Sequence, residues 1–256
     1  MTLVKEKNFY QHFFTMMFML VLQNVIALSV NLADNIMVTS YSETALSGVA
    51  TVNQIQFVLQ QLMMGTGDAL VSICSQYWGE GKTEPIKSVA KAAYLVAGGI
   101  ALIFFAAASL FPYELVHCFS DSEAIVAEGV KYLNTVKYTY LLFALTNVTL
   151  AMLRSVETVK IAFGVSVSTF CINCGINYLL INGNFGFPRL GVTGAAIGTL
   201  CARAMELCIV LVYVFCFDRK LGAKLKNLFK ADKLLMGDYF KHCKFFLIVA
   251  MLFGTS

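Results

Sequence analysis

The sequence predicts an all-α, polytopic membrane protein built as a bundle of six transmembrane helices, and three observations carry that prediction. Apolar residues make up 58% of the 256 positions, only 13% are charged, and the mean hydropathy is +0.72, well outside the range of soluble domains. The apolar residues fall into six runs of at least the roughly 20 residues that cross a hydrocarbon core. Lysine and arginine gather in alternate connections, as the positive-inside rule requires of a multi-pass chain.

The first run spans Phe13 to Val38. It follows a basic start like that of a signal peptide, but it outlasts an ordinary apolar core and lacks a small-residue cleavage site, so a retained helix is expected. The second, Ala45 to Cys74, is long for one span, which predicts a tilt or a break near Gly65-Thr66-Gly67, with Gly65 and Gly67 either a hinge or a packing contact. Ala92 to Phe111, Tyr132 to Leu153, Ile161 to Ile181 and Val192 to Phe217 supply the other four. A last apolar run, FFLIVAMLFGTS, is about half a span and reads as the start of an incomplete seventh helix. The expected organisation is therefore a bundle over 1–217, a basic amphipathic linker over 218–244 and the partial helix over 245–256.

Charge sets the orientation. Lys5 and Lys7 precede the first run, Lys82, Lys87 and Lys91 follow the second, and Arg154 and Lys160 follow the fourth. The other connections hold only Arg189 among SYSET, PYELVHCFSDSEAIVAEG and NGNFGFPRLG. The N-terminus and the basic connections are thus expected on the cytoplasmic side of a cell membrane. In the linker, Leu221, Leu225 and Leu228 recur at helical spacing among lysines, which suits either a helix lying on an anionic lipid surface or a plain connector.

Other chemistries find little support. The net charge of +4 is explained by membrane orientation, so no nucleic-acid partner is expected. Cys171 and Cys174 match C-x-x-C inside an apolar run without a second ligand pair, and His12, His117 and His242 are scattered. No metal site, cofactor or enzyme active site is therefore predicted. GTGDA and GVTGAAIG lack a nucleotide-binding context and suit close helix packing.

The polar residues inside the apolar runs are the functional candidates. A charge at mid-bilayer costs about 2.5–3.5 kcal/mol on insertion scales, yet Asp34 interrupts the first run. Asn24, Asn31, Asp34 and Asn35 fall on one side of that helix, and Asn53, Gln56 and Gln60 form a stripe on the second. Asn173 and Asn177 are i and i+4 on the fifth. Amides alone serve as interhelical glue, whereas a carboxylate also exchanges a proton or binds a cation. The stripes predict a polar cavity, lined by Asn31, Asn35, Asn53, Gln56 and Gln60, beside Asp34. Asp68 is a second acid at membrane depth, and Arg203 with Glu206, i and i+3, suits an intrahelical ion pair.

Four stretches, NLADNIMV, SQYWGEGK, LRSVETVKIAF and NYLLINGNFGFPRLGVTGAAIGTLCARAMEL, resemble the multidrug and toxic-compound extrusion (MATE) transporters. The resemblance covers essentially the whole chain and implies one of two six-helix lobes enclosing a cavity that opens alternately to each side. Organic cations or drugs would leave as protons or sodium ions enter. It places a coupling site on Asp34, Asn173, Asn177 and Thr199. Three departures stand out: Ile181 where the family carries a second acid, Ser155, Glu157 and Ala162 in a loop that is elsewhere glycine- and proline-bearing, and the missing second lobe. A second six-helix half or a homo-oligomer is the expected partner, besides membrane lipids. The alternatives are a flippase for lipid-linked polymers, against which the single membrane-depth arginine argues, and a fragment without transport of its own.

Overall fold

The computed structural model describes residues 7–218, 220 and 233–254, which contain nine α-helices and no strand. The long helices are α1 (Lys7–Thr39), α2 (Glu43–Gly79) and α3 (Glu84–Leu110). A short α4 (Pro112–His117) leads to α5 (Glu123–Val136) and α6 (Thr139–Ser155), then α7 (Lys160–Leu180), α8 (Val192–Val212) and α9 (Lys233–Gly254). Local signals start these helices where they do. The Ser42 hydroxyl accepts from the Ala45 N–H at 3.5 Å, capping α2, and Pro85 occupies the first turn of α3, where its missing N–H costs nothing.

Among the described residues five helices are long and apolar enough to cross a membrane, and α5 and α6, bent by 52°, make a sixth when taken together as one broken span. The sequence alone suggests one span over Tyr132–Leu153. The structure starts this span at Glu123 and breaks it at Lys137–Tyr138. Thr139 makes the break tolerable, because its hydroxyl donates to the Val136 carbonyl at 2.6 Å, and a backbone group freed inside a bilayer must find such a partner.

α2 is the spine. It packs against α1, α3, α5, α6 and α9, while α8 packs against α5, α6 and α7. Lipid tails are as apolar as leucine, so contacts between spans rely on close approach of small residues. A Cβ on Gly48 would lie 2.8 Å from the Gly129 backbone of α5, and Ala90, Ala93, Ala97 and Ala101 of α3 are fully buried. On the outside, Phe18, Val25, Leu28, Leu32 and Ile36 of α1 are exposed, as a lipid-facing stripe would be.

The Gly65-Thr66-Gly67 break predicted in α2 is absent, and the helix runs unbroken from Glu43 to Gly79. Both glycines are seats for neighbours. A Cβ on Gly65 would lie 3.0 Å from the Phe246 carbonyl of α9, and one on Gly67 3.2 Å from the Asn147 amide of α6. Asn147 donates to the Met63 carbonyl at 2.7 Å, and buried Tyr239 of α9 donates to the Thr66 carbonyl at 3.0 Å. The same contacts explain why α9 begins at Lys233 rather than at the apolar run from 245: Tyr239 and Cys243 are buried against the bundle, so packing holds a helix that hydropathy does not announce. Residues 219 and 221–232 of the predicted linker, including Leu221, Leu225 and Leu228, lie outside the described residues.

At one end of the bundle the α7–α8 loop clamps the α1–α2 turn. Asn182 donates to the Ser40 hydroxyl at 3.1 Å, and the Arg189 guanidinium lies 4.9 Å from the centre of the Tyr41 ring. Gly191, at φ +55°, leaves room for that ring, with which any Cβ would collide.

Replacing Gly65 by leucine should lift α9 from α2 at a cost of about 1–3 kcal/mol, the usual range for overpacking. Gly99→Leu, where a side chain meets open space, should leave the thermal midpoint of the purified protein unchanged. Equal midpoints for the two variants would refute the seat.

Candidate functional site

Asp34 lies near the end of α1, where α1 leans on α7. Its Oδ1 accepts a hydrogen bond from the Asn177 amide nitrogen at 2.6 Å, and the same nitrogen donates to the Asn173 Oδ1 at 3.2 Å. Both amides are buried, 1% and 0% exposed, because i,i+4 spacing stacks them on the α7 face turned towards α8.

The contact with α8 is tight. The Asn177 Oδ1 is buried without a hydrogen-bond partner among the described residues, and it rests on Gly198, where a Cβ would collide with it. Thr199, the next residue, donates its hydroxyl to the Ala195 carbonyl at 3.1 Å.

These groups border a cavity of about 360 Å³ between α1, α2, α5, α6, α7 and α8. The structure brings Asp34, Asn173 and Thr199 to its wall, with Asn177 immediately behind. Asn31, Asn53, Gln56 and Gln60 also line it. Asn35 does not: one residue on from Asp34 it is turned about 100° around the helix, and it is exposed off the cavity. Gly65 and Gly67 lie away from it as well. Ile181, at the position of the family's second acid, is fully buried in the apolar core.

Sequence reasoning missed part of the wall. Tyr132, Tyr140 and Phe143 reach it from the two sides of the α5–α6 bend, and Arg203 and Glu206 from α8. Arg203 and Glu206 do form the expected ion pair, at 2.7 Å. The signal that they also face the cavity was their spacing from Thr199, four and seven residues on along one helical face. Asp68 stands apart, acting electrostatically on Arg154, whose buried Nε lacks a hydrogen-bond partner among the described residues.

A carboxylate, two amides and a hydroxyl form a set of oxygens that suits a proton or a small hard cation better than a transition metal. Among the described residues no cluster of three or more His, Cys, Asp or Glu is placed to hold a metal ion.

Comparison with known proteins agrees with this architecture. The MatE family model matches residues 19–179. The probable multidrug resistance protein NorM of Thermotoga maritima is 27% identical over 194 residues, covering 75% of this chain and 42% of the relative. NorM of a Streptococcus pneumoniae strain is 30% identical over 188 residues, covering 73% and 41%. Among solved structures, MATE in the straight conformation superposes with a TM-score of 0.82 at 17% identity, over 94% of this chain and 53% of that one. A MOP superfamily transporter from Pyrococcus furiosus gives 0.80 at 17%, over 91% and 51%. The chain thus spans about half the length of the curated relatives it matches. On the family match and the shared fold, this multi-pass membrane chain belongs to the MatE family, whose members are transporters and not enzymes.

Proposed function

We propose that the chain forms the ion-coupled lobe of an exporter that moves organic cations and other drugs out across the cytoplasmic membrane by alternating access, in exchange for protons or sodium ions. The observation that carries this reading is the Asp34 carboxylate, tied to a buried amide pair and set on the wall of a polar cavity. Packing alone needs no charge there, because an amide would serve without the insertion penalty.

The local chemistry supplies a coupling device. Ionised Asp34 accepts from Asn177. Once protonated, it gains a hydroxyl that needs an acceptor, and the unpartnered Asn177 Oδ1 is the nearest candidate after a turn of the amide. A sodium ion would instead draw the same oxygens around itself. Either event changes the bonds between α1 and α7 and the pressure on Gly198, so ion occupancy biases helix position.

A second six-helix lobe, or a second copy of this chain, would complete the enclosure, and the lysine-rich connections would face the cytoplasm. A flippase for anionic lipid-linked polymers is less well matched, since Asp34 and Glu206 would both face the headgroup.

The test is ethidium efflux from exporter-deficient cells expressing this chain, alone and together with a second lobe, before and after collapse of each ion gradient. Asp34→Asn should abolish gradient-driven efflux; unchanged efflux with the same gradient dependence would sink the proposal. Gly198→Ala should push Asn177 off Asp34 and lower efflux about tenfold, the equivalent of one lost interaction of about 1.4 kcal/mol, with the protein still inserted at normal levels by immunoblot.

A further inference from the structure

Arg203 and Glu206 are the cavity's unassigned charges. The guanidinium donates to the Glu206 Oε2 at 2.7 Å and lies 4.8 Å from the centre of the Phe143 ring. It makes no other hydrogen bond to the described residues, and its side chain is 29% exposed, against 9% for Glu206. Arg203 also acts electrostatically on Asp34. The charged residues on this cavity wall are these three, so two carboxylates against one guanidinium leave a single uncompensated negative charge.

A guanidinium is itself a flat organic cation, and this one already occupies what a cationic drug needs, a buried carboxylate beside an aromatic face. We propose that Glu206 and Phe143 form the site for a monovalent, planar organic cation, and that Arg203 is its built-in occupant, which yields the site by moving to Asp34.

This deepens the exporter reading and rests on it. When Asp34 carries no ion, an incoming organic cation displaces the guanidinium from Glu206 and Phe143, and the guanidinium finds a new anion in Asp34. Both carboxylates stay paired, so neither bears the cost of a lone buried charge. When Asp34 holds a proton or sodium ion, a displaced guanidinium has no anion to go to, and it returns to Glu206 and expels the organic cation. The two cargoes exclude each other through one side chain, with no contact between them.

Ethidium binding to the purified full-length chain, read by fluorescence anisotropy with and without sodium and at neutral and acid pH, tests this. Wild type should bind ethidium in competition with sodium or protons. Glu206→Gln, nearly isosteric, should weaken binding at least tenfold, and Glu206→Asp should recover part of it. Arg203→Ala should tighten binding at least tenfold and reduce the ion competition to less than twofold, a gain that misfolding does not produce. Glu206→Gln binding like wild type, or Arg203→Ala binding more weakly, would overturn the inference. Asp34→Asn separates the two ideas. If it removes ion competition while Glu206→Gln changes nothing, the coupling reading stands and this inference falls. If it leaves ion competition intact while Glu206→Gln and Arg203→Ala behave as stated, the coupling reading falls and the Glu206 site survives. A wild-type chain that does not bind ethidium would overturn both.

Discussion

A carboxylate at membrane depth keeps its charge only if its donors stay with it, and here the donor is one amide nitrogen shared between Asp34 and Asn173. That nitrogen is in place because the other side of the Asn177 amide rests on a glycine of α8. The close approach of α7 and α8 in turn sets the rotation of α8, which turns Thr199, Arg203 and Glu206 to the same cavity wall. The position of α1 follows as well, since α7 is the neighbour it leans on most. Much of the cavity's chemistry therefore hangs on a few ångströms of space at Gly198.

The rest of the bundle solves the same problem without charge. Between lipid-facing helices there is little hydrophobic gain from association, so packing and satisfied backbone groups must hold the spans. α2 shows the strategy along its length, with Gly48 against α5, Gly65 against α9 and Gly67 against α6. Side chains such as Asn147 and Tyr239 then donate to α2 carbonyls across those contacts.

The number and rough extent of the spans were legible because bilayer thickness imposes a length that hydropathy reveals. The amide pair on α7 was legible because two polar residues four apart must share a face. Asn35 misled because adjacency in sequence is not adjacency on a helix. The α5–α6 bend was hidden because α5 carries Glu123, Glu128 and Lys131, which mask it from a search for apolar runs. The reach of α9 back to Lys233 depends on contacts with α2 across more than 170 residues of chain, which no local pattern encodes. Gly65 and Gly67 were readable as either a hinge or a packing contact, since glycine marks both flexibility and close approach, and only the neighbours on α9 and α6 select the second.

The clamp on the α1–α2 turn makes α1 a lever. Its fulcrum is Ser40 and Tyr41, held by Asn182 and Arg189, and the helix extends from there back to Lys7. At about 1.5 Å per residue, Asp34 sits roughly 9 Å from the fulcrum and the far end roughly 50 Å away. A tilt that moves Asp34 by about 1 Å, the scale of one hydrogen-bond rearrangement, sweeps the far end through about 5 Å by the same geometry. An arm so sparsely buried has little packing to oppose that sweep, so under the proposed coupling a change of charge near one end of the helix would be read as a displacement at the other.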